Sequence, residues 1–145
     1  MQQETNKNIL MDNTKKTLLW LDDRRDPFRH ENWLEFSPIE KPFEVVWLKT
    51  YKRFIKWIKK NGLPDAICFD HDLSDFEIDL WGYFKSHSSL YKEKTGYDCA
   101  EWLVNYCIDN NLSLPKWNVQ SSNIPGKENI NGILLSYLKF IENQK

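Results

Sequence analysis

Two short apolar runs that each stop at acidic residues constrain the fold of this chain most strongly. Thr17–Leu21 is followed directly by Asp22-Asp23, and Ala66–Phe69 is followed by the segment 70–72. Continuous apolar runs of this length are typical of strands buried on both faces, as in parallel sheets. Ligands of open α/β sheets bind outside the carboxyl ends of the strands. We therefore predict that four acids converge at one functional edge: Asp22, Asp23, Asp70 and Asp72.

The rest of the chain predicts alternating helices and strands. Asp26–Pro42 contains three prolines and no helical period, so we expect a long loop with at most a short helix. The other predicted elements are strands at Phe43–Leu48 and Trp117–Val119, and helices at Tyr51–Lys60, at Tyr97–Asn110 and from Pro125-Gly126 to about Phe140. Strands that alternate with helices imply a parallel sheet with right-handed crossovers.

The length of 145 residues and the hydrophobic content of 41% fit a single domain with a real core. We assign residues 1–16 to a flexible tail and residues 17–145 to one domain. Residues 74–95 are interpreted as a polar and aromatic insertion without a clear period.

The net charge of −1 gives no whole-molecule attraction for nucleic acid or for a membrane, so bulk DNA binding is not expected. The polar N-terminus lacks the apolar stretch of a signal peptide, and no run is long enough to span a membrane. The three cysteines have no disulfide-like spacing, which indicates buried thiols in a reducing compartment. These features predict a cytoplasmic protein. Its Lys, Asn and Ile usage indicates an AT-rich genome, such as that of a phage or a low-GC bacterium.

The adjacent carboxylates Asp22 and Asp23 repel each other where burial is expected. A divalent cation would remove that cost, and Mg²⁺ prefers one or two carboxylates together with water and phosphate oxygens. The alternative is that both acids are loop residues paired with Arg24 and Arg25. In the second acid segment, strand alternation would point Asp70 and Asp72 to one face and His71 to the other. His71 is then either a general acid/base or a structural residue bonded to the backbone.

A third polar segment, residues 120–129, precedes the last helix with hydroxyl and amide groups and a Pro-Gly turn. Helix N-termini suit phosphate, although ordinary capping by Ser or Asn explains the same residues. Elsewhere we expect Asp98 to cap a helix, His30 and His87 to lie on the surface, and Lys49–Lys60 to form a solvated helix face. The chain has no P-loop, GxGxxG, CxxC or GxSxG motif.

The placement of the acids is similar to that in receiver domains of response regulators, which carry an Asp pair after the first strand and an Asp after the third. The chain differs in lacking a fifth strand with its terminal lysine and in adding His71-Asp72. In these respects it resembles the cyclic-phosphate processing receiver-like domain family over about residues 17–140. The matching residues are Leu21, Asp22, Asp23, Arg25 and Pro27; Phe69 to Leu73; Gly96, Tyr97 and Asp98; and Ser121, Asn123, Gly126 and Asn129.

The resemblance implies a small three-layer receiver-like (flavodoxin-like) α/β domain, with a four-stranded parallel sheet of order 2-1-3-4. It also implies metal-assisted processing of a cyclic phosphate on a nucleotide or an RNA end. The metal, Mg²⁺ or Mn²⁺, would be held by Asp22, Asp23 and Asp70, with Asp72 as a further ligand. The catalytic residues would be His71, Asp70 and Arg25. The substrate-binding residues would be Gln120, Ser121, Asn123, Gly126, Lys127 and Asn129.

Gln120 departs from the family, which usually has His at this position. Gln donates hydrogen bonds but does not shuttle protons near neutral pH. This favours an alternative function, a non-catalytic module that binds a nucleotide or a host protein, with Trp81, Tyr83 and Phe84 as a partner patch. A phosphorelay receiver that is phosphorylated on Asp70 is a third hypothesis, and the missing lysine speaks against it.

Overall fold

A computed structural model describes residues 15–73 and 94–144 of the chain. Most of the predicted tail and of the predicted insertion lies outside these residues, as do the aromatic side chains of the proposed partner patch. The division into tail, domain and insertion therefore stays a prediction.

Four parallel strands form the sheet of the described residues, in the order β2-β1-β3-β4. They are β1 (Lys16–Leu21), β2 (Phe43–Leu48), β3 (Ala66–Phe69) and β4 (Lys116–Val119). No fifth strand occurs among residues 15–73 and 94–144. The predicted receiver-like α/β fold and its strand order are confirmed.

Three α-helices follow the strands, and local sequence fixes where each begins. They are α1 (Tyr51–Asn61), α2 (Gly96–Asn110) and α3 (Ile124–Glu142). The Thr50 side chain caps α1, Thr95 and Asp98 form a capping box on α2, and the Asn123 side chain caps α3. None of the helices in the described part of the chain combines the length and apolar character that crossing a membrane requires.

The two faces of the sheet are covered differently. Leu19 and Leu21 of β1 face a core that they share with buried residues of all three helices. Leu18 and Trp20 face the opposite side, where the segment between β1 and β2 packs against them. That segment contains the short 3₁₀ helix Glu31–Phe36, as expected of a loop with at most a short helix. The three layers are therefore the helices, the sheet and this segment.

Candidate functional site

Strand register brings the predicted site residues into one row at the carboxyl edge of the sheet. Leu21 of β1 is paired with Leu48 of β2 and with Phe69 of β3, and Phe69 is paired with Val119 of β4. Each strand ends at this level. The residues that follow the four strands, in sheet order, are Lys49, Asp22, Asp70 and Gln120.

The ladder of hydrogen bonds continues one residue beyond the strands and holds this row in place. Asp22 N donates to Leu48 O at 3.1 Å, and Asp70 N donates to Leu21 O at 2.9 Å. Gln120 N donates to the carbonyl of Phe69 at 2.9 Å. The backbone at Asp22, Asp70 and Gln120 is therefore fixed by bonds that continue the sheet.

Asp22 organises the turn after β1. Its side chain is 1% exposed, and Oδ1 accepts hydrogen bonds from Arg24 N at 2.9 Å and from Arg25 N at 3.0 Å. Such backbone donors favour the ionised carboxylate. The indole N–H groups of buried Trp20 and half-buried Trp47 also bond to this turn. Trp20 Nε1 donates to Arg25 O at 2.8 Å, and Trp47 Nε1 donates to Asp22 O at 2.7 Å.

Three of the four predicted acids lie together. Within the described residues, Asp22, Asp23 and Asp70 each offer a carboxylate oxygen, and these atoms lie within 4.8 Å of one another. Burial, and after it the charge of Asp22, raise the pKa of Asp70 to about 6, while Arg25 acts in the opposite direction. The site thus disfavours the ionised form of Asp70 unless a positive charge joins it.

Arg25 links the first acid to the far strand. Its Nη1 lies 3.4 Å from Asp22 Oδ2 and donates to Gln120 O at 3.0 Å, and its guanidinium lies 5.3 Å from the centre of the Trp33 ring. Among the described residues, no hydrogen-bond partner engages its other donors. Nη1 and the Trp33 ring therefore hold Arg25 in position, and its other donors could bind an anion.

Asp72 lies outside the three-carboxylate group and contacts His71 instead. β3 ends at Phe69, so the expected alternation of faces does not extend to these residues. Asp72 Oδ1 lies 2.9 Å from His71 Nδ1 and 3.3 Å from Asn123 Nδ2. The hydrogen bond from His71 is the main cause that lowers the pKa of Asp72. Its predicted role as a metal ligand stays a prediction.

The same contacts identify the His71 nitrogen that is available. Asn123 Nδ2 also lies 3.3 Å from His71 Nδ1. Both atoms are donors when Nδ1 carries the proton that Asp72 accepts, so the amide of Asn123 bonds to Asp72 rather than to the ring. Nε2 of neutral His71 is then the acceptor, as in sites where a carboxylate orients a catalytic imidazole.

Two glycines allow elements to approach these residues closely. A Cβ on Gly96 would overlap the carbonyl oxygen of Asp70, and a Cβ on Gly126 would overlap Cγ and Cδ2 of His71. Gly96 N also donates to His71 O at 2.7 Å. The first turns of α2 and α3 therefore pack directly against the segment that follows β3.

The predicted phosphate-binding residues near α3 lie in two places, in the turn before the helix and on its first turns. Ser121 Oγ accepts from Asn123 N at 3.1 Å, and Asn123 Oδ1 accepts from Gly126 N at 3.0 Å. Lys127 and Asn129 are exposed on the first turns of the helix. In the described part of the chain, neither of their side chains is bonded to the acid group.

A family model described as the cyclic-phosphate processing receiver domain matches residues 17–136. The chain belongs to this family. No curated protein matches the chain. The matched segment of the cyclic-phosphate processing receiver domain runs from β1 into α3, so it contains the complete row of site residues and confirms the resemblance predicted from the motifs.

The acid group of this receiver domain fits a divalent cation. Two ligand oxygens of an octahedral Mg²⁺ lie roughly 3 to 4 Å apart, as its metal–oxygen distances of about 2.0–2.1 Å require. Carboxylate oxygens within 4.8 Å of one another are close to this spacing. A cation would also relieve the repulsion that raises the pKa of Asp70.

The side chain of Gln120, the residue that departs from the usual family histidine, is buried. It is 8% exposed, and its Nε2 donates to Leu21 O at 3.3 Å. Its Oε1 is buried and has no hydrogen-bond partner among residues 15–73 and 94–144. The amide nitrogen of Gln120 is thus already bonded to β1. The predicted contact of Gln120 with substrate stays a prediction.

Sequence reasoning missed the two tryptophans and the glycine contacts of the site. Trp20 and Trp47 are register partners on β1 and β2, two residues before the carboxyl edge. An aromatic residue at the same level of two predicted neighbouring strands was the available signal. Nothing in the sequence indicates which side chain Gly126 approaches, because that contact joins residues far apart in the chain.

Proposed function

We propose that this receiver domain opens cyclic phosphate ends, of nucleotides or RNA, by metal-assisted hydrolysis. The observation that carries the proposal is the convergence of Asp22, Asp23 and Asp70 at one edge of the sheet, beside an imidazole held by a carboxylate. Family membership supports a phosphate-bearing ligand.

Asp22, Asp23 and Asp70 would hold the cation. Mg²⁺ or Mn²⁺ bound there would supply positive charge that stabilises the phosphate oxygens as the reaction proceeds. Ionised Asp70 is the form required, and its raised pKa means that a proton competes with the cation below about pH 6.

The chain's own residues account for the proton in the reaction. A water oxygen forms a bond to phosphorus, the bond from phosphorus to one ribose oxygen breaks, and that oxygen takes up a proton. His71 Nε2, which is an acceptor in the neutral ring because Asp72 holds Nδ1, would take one proton from the attacking water and pass it to that ribose oxygen, while the second water proton stays on the phosphate. The free donors of Arg25 and the turn 121–126 at the start of α3 would bind the phosphate oxygens.

Turnover of a 2′,3′-cyclic nucleotide by the purified full chain, followed by ³¹P NMR, tests this function. We expect a phosphomonoester to form with Mg²⁺ or Mn²⁺ and not with chelator. Asp70→Asn should abolish the reaction, whereas Asp109→Asn, which changes an exposed acid at the end of α2, should keep it. No turnover on a broad panel of cyclic nucleotides and cyclic-ended RNAs would contradict the enzymatic function.

A non-catalytic binding module is the second candidate, and Gln120 favours it. The family's usual second imidazole is replaced by an amide whose nitrogen is bonded to Leu21 O. Calorimetric binding of a cyclic nucleotide without any product would support this module, as would a stoichiometric complex with a host protein.

We place this activity in the cytoplasm. Cys68, Cys99 and Cys107 are buried and unpaired, as is usual in reducing compartments. The expected ligand is a cyclic nucleotide or an RNA end, and a protein partner belongs to the second candidate.

A further inference from the structure

Helix α1 carries an unusual concentration of positive charge. Its 11 residues include five basic side chains, all exposed, and no acid. The whole chain has a net charge of −1, so the remaining surface is acidic on balance. We call four of these side chains the lysine strip: Lys52, Lys56, Lys59 and Lys60.

The lysine strip occupies one face of the helix. At 100° per residue its members fall within an arc of about 100°, opposite the buried Phe54 and Ile58. Together with Ile55 they line a shallow depression. None of the four ammonium groups lies within 4.0 Å of a carboxylate of residues 15–73 and 94–144. Unpaired cations on one face repel each other, which favours an external polyanion.

The helix that carries the strip begins two residues after Lys49, which belongs to the row of the candidate site. Lys49 follows β2 in the row that contains Asp22, and its ammonium lies 4.2 Å from the centre of the Trp47 ring. Trp47 in turn donates to Asp22 O. From this edge α1 leads away along the sheet, and the distance from Lys52 to Lys60 is about 12 Å at 1.5 Å per residue.

We propose that the lysine strip binds the phosphate backbone of single-stranded RNA whose cyclic end lies at Asp22, Asp23 and Asp70. The natural substrate is then an RNA end rather than a free cyclic mononucleotide. This rests on the proposed function, because the position of the strip is meaningful only if a cyclic phosphate binds at the neighbouring edge. A mononucleotide with a single cyclic phosphate cannot occupy both the acid group and the strip, whereas an oligonucleotide presents several further phosphates to a strip of about 12 Å.

Binding of a short fluorescein-labelled oligouridylate with a 2′,3′-cyclic phosphate end, measured by anisotropy in chelator, tests the strip. The variant K52Q/K56Q/K59Q/K60Q removes its charge. The matched control K15Q/K16Q/K116Q/K139Q removes the same charge from exposed lysines elsewhere. We expect the strip variant to bind at least about tenfold more weakly. The slope of log K against the logarithm of the salt concentration should be shallower by about two to three. Each phosphate that a lysine no longer neutralises removes about 0.7 from that slope.

The control variant should stay within about threefold of wild type (0.7 kcal/mol), and the turnover of a cyclic mononucleotide should be equal in both variants. Equal weakening of RNA binding in the two variants would overturn the proposal, since it would reflect net charge alone. Equal competition by polyglutamate of matched charge would overturn RNA as the partner. Because binding is measured without metal, a wild-type protein that hydrolyses nothing would contradict the proposed function and still decide the role of the strip.

Discussion

The imidazole of His71 lies directly against the backbone of Gly126, in the first turn of α3. A side chain at Gly126 would overlap the ring atoms Cγ and Cδ2. The close approach explains why glycine stands at this position, although the helix itself does not require it. It also makes the orientation of His71 sensitive to the smallest change in α3.

We predict that Gly126→Ala displaces His71 and lowers the turnover of a cyclic nucleotide by about 10²-fold, the usual effect of misplacing a catalytic group by an ångström. Overpacking should also cost about 1–3 kcal/mol of unfolding free energy in urea. Gly132→Ala is the control on the same helix, because its Cβ would meet none of the described residues within 4 Å. That variant should gain up to about 1 kcal/mol and keep full activity.

The sequence allowed much of the fold to be predicted, because apolar runs and acids mark the strand ends. Leu21 and Phe69 end strands at the positions where the apolar runs stop, and the strand order follows from the family resemblance. The contact of Asp72 with His71 could not be predicted, because β3 ends at Phe69 and strand alternation does not extend to these residues. The cover of the second sheet face was missed as well, since Trp33 packs there from a segment without period.

Asp70 should destabilise the apoprotein at neutral pH. Its pKa is raised from 3.8 to about 6 in the folded state, so the folded state binds more protons than the unfolded state between these values. The free energy of unfolding contributed by this group therefore falls as pH rises through that window. We expect Asp70→Asn to be more stable than wild type at pH 7 by up to about 3 kcal/mol, at roughly 1.4 kcal/mol per pKa unit.

Urea unfolding of both proteins at a series of pH values measures this difference. It should vanish below the pKa of the unfolded carboxyl and grow through the window. A difference that is independent of pH would show that Asp70 is not the titrating group.

Asp72→Asn separates the two roles that have been assigned to this carboxylate. If Asp72 orients His71, kcat should fall about 10–100-fold, while the affinity for Mn²⁺ should stay within about twofold (0.4 kcal/mol). Asp23→Asn is the comparison, because Asp23 belongs to the three-carboxylate group and its loss should weaken Mn²⁺ binding. Weak metal binding in Asp72→Asn would restore its predicted role as a ligand.

Gln120→Met tests whether the buried amide binds substrate. The substitution loses the bond to Leu21 O but removes the buried Oε1, which has no partner in the described part of the chain. These effects oppose each other, so we expect a stability within about 1 kcal/mol of wild type and an unchanged KM for the cyclic nucleotide. A large rise in KM would show that Gln120 contacts the phosphate.

The most direct measurement of the central claim is Mn²⁺ binding to the full chain, followed by electron paramagnetic resonance. We predict a single bound ion that weakens at least about tenfold, or 1.4 kcal/mol, in Asp70→Asn, and that is unchanged in Asp109→Asn. Mn²⁺ binding that is equal in wild type and Asp70→Asn, or absent from both, would contradict a metal site at Asp22, Asp23 and Asp70.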